Sequence, residues 1–123
     1  DMDERQRYRK LIEENLEYDI LLQNNHYDRE TIEEIMELIL DTVCSKRQYI
    51  RIAGDDKPCE VVKNQFLKLN GGHIEYVLAS FRENATKVRN IKQYLLASLY
   101  NAPLTMSNYF DALVRHDMAN GFT

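Results

Sequence analysis

Tryptophan is missing from this sequence of 123 residues, and cysteine (two), proline (two) and glycine (four) are scarce. So little glycine and proline argues against a loop-rich, all-β or collagen-like chain. Two cysteines, Cys44 and Cys59, cannot build a disulfide framework. They point to a reducing setting and a cytoplasmic location. No stretch approaches the roughly 18 apolar residues that a membrane helix needs. Signatures of chemistry are missing too. His26, His73 and His116 stand far apart, without HExxH, CxxC or CxxxH context. No glycine-rich phosphate loop occurs, and Gly71-Gly72 reads as a helix stop. No catalytic residue, metal or cofactor is therefore expected.

What is present is ordinary for a soluble globular domain: 44% apolar and 29% charged residues. The length fits one domain, able to bury roughly two-thirds of its unfolded surface. That domain is expected over residues 7–118, with 1–6 and 119–123 as frayed termini. Residue 1 is Asp, so a fragment of a longer protein is expected. Charge is unevenly placed. Residues 1–45 hold 13 acidic and 5 basic side chains, whereas residues 46–123 hold 7 and 11. Opposed charged faces are one reading; interleaving that cancels the dipole is the other.

Periodicity predicts a mainly α fold, a compact bundle of about six helices with one small β-hairpin near residues 49–59. Tyr8, Leu11, Ile12 and Leu16 mark a helix over 4–15. A short turn follows, with Asp19 as its cap. Ile32, Ile35, Met36, Ile39 and Val43 mark the clearest helix, 29–46, capped by Asp28. Glu30, Glu33 and Glu34 near its start and Lys46 and Arg47 at its end suit the macrodipole. Tyr49-Ile50-Arg51-Ile52 then alternates, Gly54-Asp55-Asp56 is turn chemistry, and Lys57-Pro58-Cys59 returns as an edge strand. Pro58 at the first position of the next helix is the alternative.

Val61, Val62, Phe66 and Leu69 predict a helix over 60–69, broken by Asn70-Gly71-Gly72. Ile74, Val77, Leu78 and Phe81 predict another over 73–84. Thr86 is expected to cap a helix over 87–102. Its broad apolar arc (Val88, Ile91, Leu95 and Leu99, widened by Tyr94, Leu96 and Tyr100) suits a central helix. Pro103 ends it, and Thr105 caps a last helix over 106–118 carrying Met106, Tyr109, Phe110, Leu113 and Val114.

One stretch invites a binding reading. Residues 84–92 put Lys87, Arg89 and Lys92 among Asn84, Thr86 and Asn90 at a predicted helix start. Backbone N–H groups and cations there can hold a phosphate. The ordinary reading is a capped, solvated helix start, and it also absorbs the Asn84-Ala85-Thr86 glycosylation pattern. A net charge of −4 disfavours a dedicated duplex binder. Tyr18, Tyr76, Tyr94, Tyr100 and Tyr109 offer stacking platforms for bases, or simply buried rings with wet hydroxyls.

Several blocks together resemble a known family. They are Tyr8-x-x-Leu11-Ile12-x-x-Asn15-Leu16-x-Tyr18-Asp19, Ile50-Arg51-Ile52-x-Gly54, and Val61-Val62-Lys63-x-x-Phe66-Leu67-Lys68-Leu69. The longest is Asn84-x-Thr86-Lys87-Val88-Arg89-Asn90-Ile91-x-x-Tyr94-Leu95-Leu96-x-x-Leu99-Tyr100-Asn101-Ala102-Pro103. In order and spacing they resemble the C-terminal domain of replication initiator A proteins of Gram-positive plasmids and integrative elements. The resemblance implies a non-enzymatic, DnaD-like helical module. A winged-helix domain would precede it in the longer protein, and host primase or helicase loader would be its partner. The Tyr-x-x-x-Ile-x-x-x-Trp motif of DnaD-type proteins is not matched, since the chain has no tryptophan.

Two functions are therefore expected in competition. The first is a recruitment module for a host replisome protein. The second is non-specific DNA binding, with Lys87, Arg89 and Lys92 contacting phosphates and Lys63 and Lys68 joining if they lie nearby. A homodimer is compatible with either, and a membrane with neither.

Overall fold

The computed structural model describes residues 2–119, with side chains described as far as Met106 and, beyond it, at Arg115 and Met118. The order of elements is α1 (Met2–Leu16), α2 (Tyr18–Asn24), a 3-10 turn (His26–Asp28), α3 (Arg29–Val43), β1 (Tyr49–Ile52), β2 (Asp55–Pro58), α4 (Cys59–Phe66), α5 (Gly71–Asn84) and α6 (Ile91–Ala119). Among the described residues this is a mainly α bundle of six α-helices with one small sheet, as the periodicity predicts.

The other elements pack around two helices: α6 meets α4, α5 and β1, and it lies against α3, which meets α1 and α4. Ile32, Ile35, Met36, Leu38, Ile39, Leu40 and Val43 are all buried, so α3 is apolar on more faces than one stripe requires. The expected central place of the 87–102 segment is kept by the first part of α6, which packs on α3, α4, α5 and β1. Ile12 and Leu16 of α1, Val62 and Phe66 of α4, Ile74, Val77 and Leu78 of α5, and Leu95, Leu96 and Leu99 of α6 complete the core. Leu11 and Val61, read as inward, are 42% and 48% exposed.

The hairpin is antiparallel, with Tyr49 opposite Pro58 and Ile52 opposite Asp55. Its turn is Ala53-Gly54 rather than Gly54-Asp55-Asp56. Both residues take positive φ (53° and 86°), the handedness that matches strand twist in a two-residue hairpin. Pro58 closes β2, as the edge-strand reading has it; the first position of α4 belongs to Cys59, and Pro58 stands just before it at the N-cap.

Several expectations about helix ends change, each for a physical reason. α3 ends at Val43, and Lys46 leaves the helix to pair with Glu4 at 2.9 Å. Asp28 stands at the N-cap position of α3 as expected, but its side chain makes no capping bond; its carboxylate accepts from Arg82 at 3.0 Å. Gly71-Gly72 does not end a helix but opens α5. Asn70 is the cap there: its side chain accepts from the His73 N–H while its own N–H donates to His73 Nδ1, both at 3.0 Å. Pro103 does not stop a helix either, because α6 runs through it to Ala119. Proline cannot donate to the Leu99 carbonyl, and the neighbouring Tyr100 carbonyl accepts from the Gln65 side chain at 3.0 Å. Thr105 therefore caps nothing. The expected core roles of Tyr109, Phe110, Leu113 and Val114 fall on side chains outside those described, and of the end expected to fray, 119–123, residues 120–123 lie outside the described residues.

The segregation of charge in the sequence is partly cancelled in space. Arg5 pairs with Glu37 (3.1 Å) and Asp41 (3.0 Å), and Arg9 pairs with Glu37, so the arginines of α1 answer the carboxylates of α3. Lys46–Glu4 and Arg82–Asp28 then tie the later, basic part to the acidic first third.

Candidate functional site

The segment singled out by sequence forms the link from α5 to α6. The backbone N–H groups of Lys87 and Val88 both donate to the Asn84 carbonyl, closing a turn at the end of α5. Thr86 sits exposed in that turn and caps nothing, so the predicted helix start moves on by one turn. Asn90 is the cap: its Oδ1 accepts from the Gln93 N–H at 3.1 Å, and α6 begins at Ile91. The Asn84 side chain turns inward, donating to the Ser80 carbonyl (2.8 Å) and the Tyr94 hydroxyl (3.4 Å). Its role is structural.

Of the expected cations, Lys87, Arg89 and Lys92 share this link, all exposed and without an ion-pair partner among the described residues. Lys63 and Lys68 do not join them. Lys63 lies on α4 with its Nζ 5.0 Å from the Tyr8 ring centroid, beside the first turns of α1. Lys68 precedes α5 whereas Lys87 follows it, so the full helix, about 20 Å of axial rise, separates them.

The tyrosines divide as well. Tyr94 is half-buried with its hydroxyl 2.7 Å from Ser80 Oγ, and Tyr100 is half-buried under Lys57. Burial pushes the Tyr18 hydroxyl above its ordinary pKa. Tyr76 is exposed. Tyr109 lies outside the described side chains. Tyr18, Tyr94 and Tyr100 pack against the core, and among the described residues Tyr76 alone of the five is exposed.

The feature that sequence reasoning missed is a groove between α3 and α6. Glu33, Glu34, Glu37, Leu38 and Asp41 form one wall, and Ile91, Lys92 and Leu95 the other, around about 580 Å³. Leu38 and Leu95 make an apolar floor, and Ile91 at the mouth is 51% exposed. Past Asp41 the groove continues into a cleft of about 290 Å³ under the hairpin, reaching Ser45, Arg47 and Arg51. Lys92 faces both parts. Acidic side chains therefore crowd one end and basic ones the other.

Neutralisation is uneven along this channel. Arg9 and Arg5 hold the Glu37 carboxyl below its usual range. Arg51 is paired with Asp56 at 3.0 Å. Glu33 has Arg29 at 3.9 Å, while Glu34, Arg47 and Lys92 have no ion-pair partner among the described residues. Ile91 and Leu95 were legible only as core, and Glu33 and Glu34 only as macrodipole charges. The one sequence signal was Leu38, an apolar residue off the main stripe of α3, which marks a second contacted face.

Cys44 and Cys59 are free thiols; Cys59 is buried and its Sγ lies 3.7 Å from the Ser45 carbonyl. Among the described residues no group of three or more His, Cys, Asp and Glu side chains is placed to hold a metal. No helix among them is long and apolar enough to cross a membrane.

No curated protein and no solved structure matches this chain. A family model does match, over residues 2–121, and the chain belongs to that family, described as a family of unknown function (DUF6017).

Proposed function

We propose that this chain is a non-catalytic recruitment module of a replication initiator carried by a plasmid or mobile element. It acts in the cytoplasm and holds a host replication protein, primase or helicase loader, on its surface. The observation that carries the reading is the α3–α6 groove: an apolar floor with charged rims, the form in which helical partners are usually seated. The replication setting comes from the sequence blocks that resemble replication initiator A proteins. The test is direct binding of the immobilised, folded chain to purified host primase and helicase loader. One of them should bind, and Ile91→Asp should weaken that binding. A folded chain that binds neither protein overturns the reading.

A second reading is supported by one specific observation. Lys87, Arg89 and Lys92 stand exposed and unpaired within six positions of sequence. In this reading they contact nucleic-acid phosphates without base specificity. Affinity for duplex DNA would then fall steeply with salt, and replacing Lys87 and Arg89 by alanine would lower the log–log slope by about two. The separation of Lys63 and Lys68 from this link favours the recruitment reading, because a backbone-tracking surface needs its cations on one face.

A further inference from the structure

We infer that the α3–α6 groove takes one amphipathic helical segment of the partner, acidic in its first turn and basic in its last, lying antiparallel to α3. The inference rests on the recruitment reading only for the partner being a protein; the chemistry of the segment comes from the groove itself.

Length is the first constraint. The α3 wall and its continuation run from Glu33 to Ser45, about 18 Å of axial rise, or a little over three helical turns. Shape is the second. The floor is Leu38 and Leu95, and Ile91 at the mouth is half-exposed, so an apolar stripe at i, i+3, i+4 and i+7 has somewhere to seat.

Charge fixes the direction. Glu37 and Asp41, midway along, are already answered by Arg5 and Arg9. The unanswered charges are Glu34 near the start of α3 and Arg47 beyond its end, with Lys92 on the opposite wall. A helix is intrinsically favoured when its first turn is acidic and its last turn basic. Such a helix matches this groove in one orientation only, with its acidic start beside Arg47 and its basic end beside Glu34. A nucleic-acid strand laid along the same channel would bring phosphates against Glu33 and Glu34, so the channel selects protein.

The test uses a displayed library of helical segments with a fixed apolar stripe and random charged positions, selected on the full chain. The enriched segments should carry Asp or Glu before the stripe and Lys or Arg after it. A peptide made from them should bind Ile91→Asp about tenfold more weakly. It should bind Glu34→Lys about two- to threefold more weakly. Changing the peptide's last-turn Lys to Glu should restore binding to Glu34→Lys. Circular dichroism checks that each variant stays folded, and Arg47→Glu, outside every helix, gives an independent variant with the same expected loss.

Enrichment without charge order, or with the reverse order, overturns the inference. So does a peptide that binds Ile91→Asp and Arg47→Glu as well as the parent. No enrichment at all also overturns it, while binding of primase or helicase loader in that case leaves the recruitment reading standing. A peptide that binds as expected, with neither replication protein bound, does the reverse.

Discussion

α5 and α6 both begin on an asparagine cap, yet their first turns are built differently. At α5 the capping is reciprocal between Asn70 and His73, and the next residue, Gly71, is pressed against the last carbonyl of α1. Ile74, one turn on, is fully buried. At α6, Asn90 makes a single capping bond, and the next residue, Ile91, is 51% exposed with Lys92 exposed beside it. The same cap chemistry thus closes the bundle in one place and leaves a groove wall open in the other. A helix start seated on backbone serves stability; one that presents an apolar side chain to solvent is free to serve binding.

The largest effect expected from this contrast is at Gly71. A Cβ there would lie 2.8 Å from the Leu16 carbonyl oxygen, a backbone atom with no rotamer to escape into. Gly71→Ala should cost about 1–3 kcal/mol, as overpacking does. That lowers the melting temperature by roughly 4 °C or more per kcal/mol in a domain of this size. A melting curve that superimposes on the parent would mean that α5 is not seated on α1, and the contrast would collapse.

Next come the caps. Asn70→Ala should cost roughly 1 kcal/mol in urea denaturation, the usual worth of a side-chain cap. Asn90→Ala should cost roughly half of that, because the α6 start it releases is already open to water. Equal losses would show that both starts carry the bundle alike.

The caps also differ in pH response. His73 Nδ1 accepts the Asn70 N–H, which requires a neutral ring, and burial holds its pKa below the ordinary 6.5. The folded state therefore binds this proton less readily than the unfolded chain. The contribution is fully present above pH 6.5 and is lost as pH falls through the folded value. His73→Gln can keep the reciprocal cap, since glutamine fits that position, and should flatten the urea midpoint between pH 7.5 and 5. Glu37, held low by Arg9, loses its contribution in a separate, more acid window, below about 4.5.

How much of this was readable beforehand varies by element. The α3 stripe was, because Ile32, Ile35, Met36, Ile39 and Val43 repeat at one helical period and all five are buried. The hairpin was too, since alternation and turn residues are local signals. Gly71-Gly72 misled because glycine marks close backbone approach as well as helix ends, and the approaching atom belongs to Leu16, 55 positions earlier. Pro103 misled because the side chain attending the neighbouring carbonyl comes from α4. The site was the least legible part. Its walls are at least 50 positions apart in sequence, and Ile91, Leu95, Glu33 and Glu34 each have a sufficient local explanation as core or macrodipole charge.

The smallest expected change in stability is therefore also the most informative. Ile91→Asp should shift unfolding by no more than about 0.5 kcal/mol, as surface substitutions do. Half of the side chain is already in water, and an acidic residue in the first turn of α6 suits the helix dipole. A core isoleucine such as Ile74, fully buried, would cost several times more. If Ile91→Asp proves as damaging as a core change, the mouth of the groove is packed shut in solution and α6 resembles α5 after all. If stability holds while partner binding falls, the exposed isoleucine is retained for recognition, and the open helix start is where the bundle meets its partner.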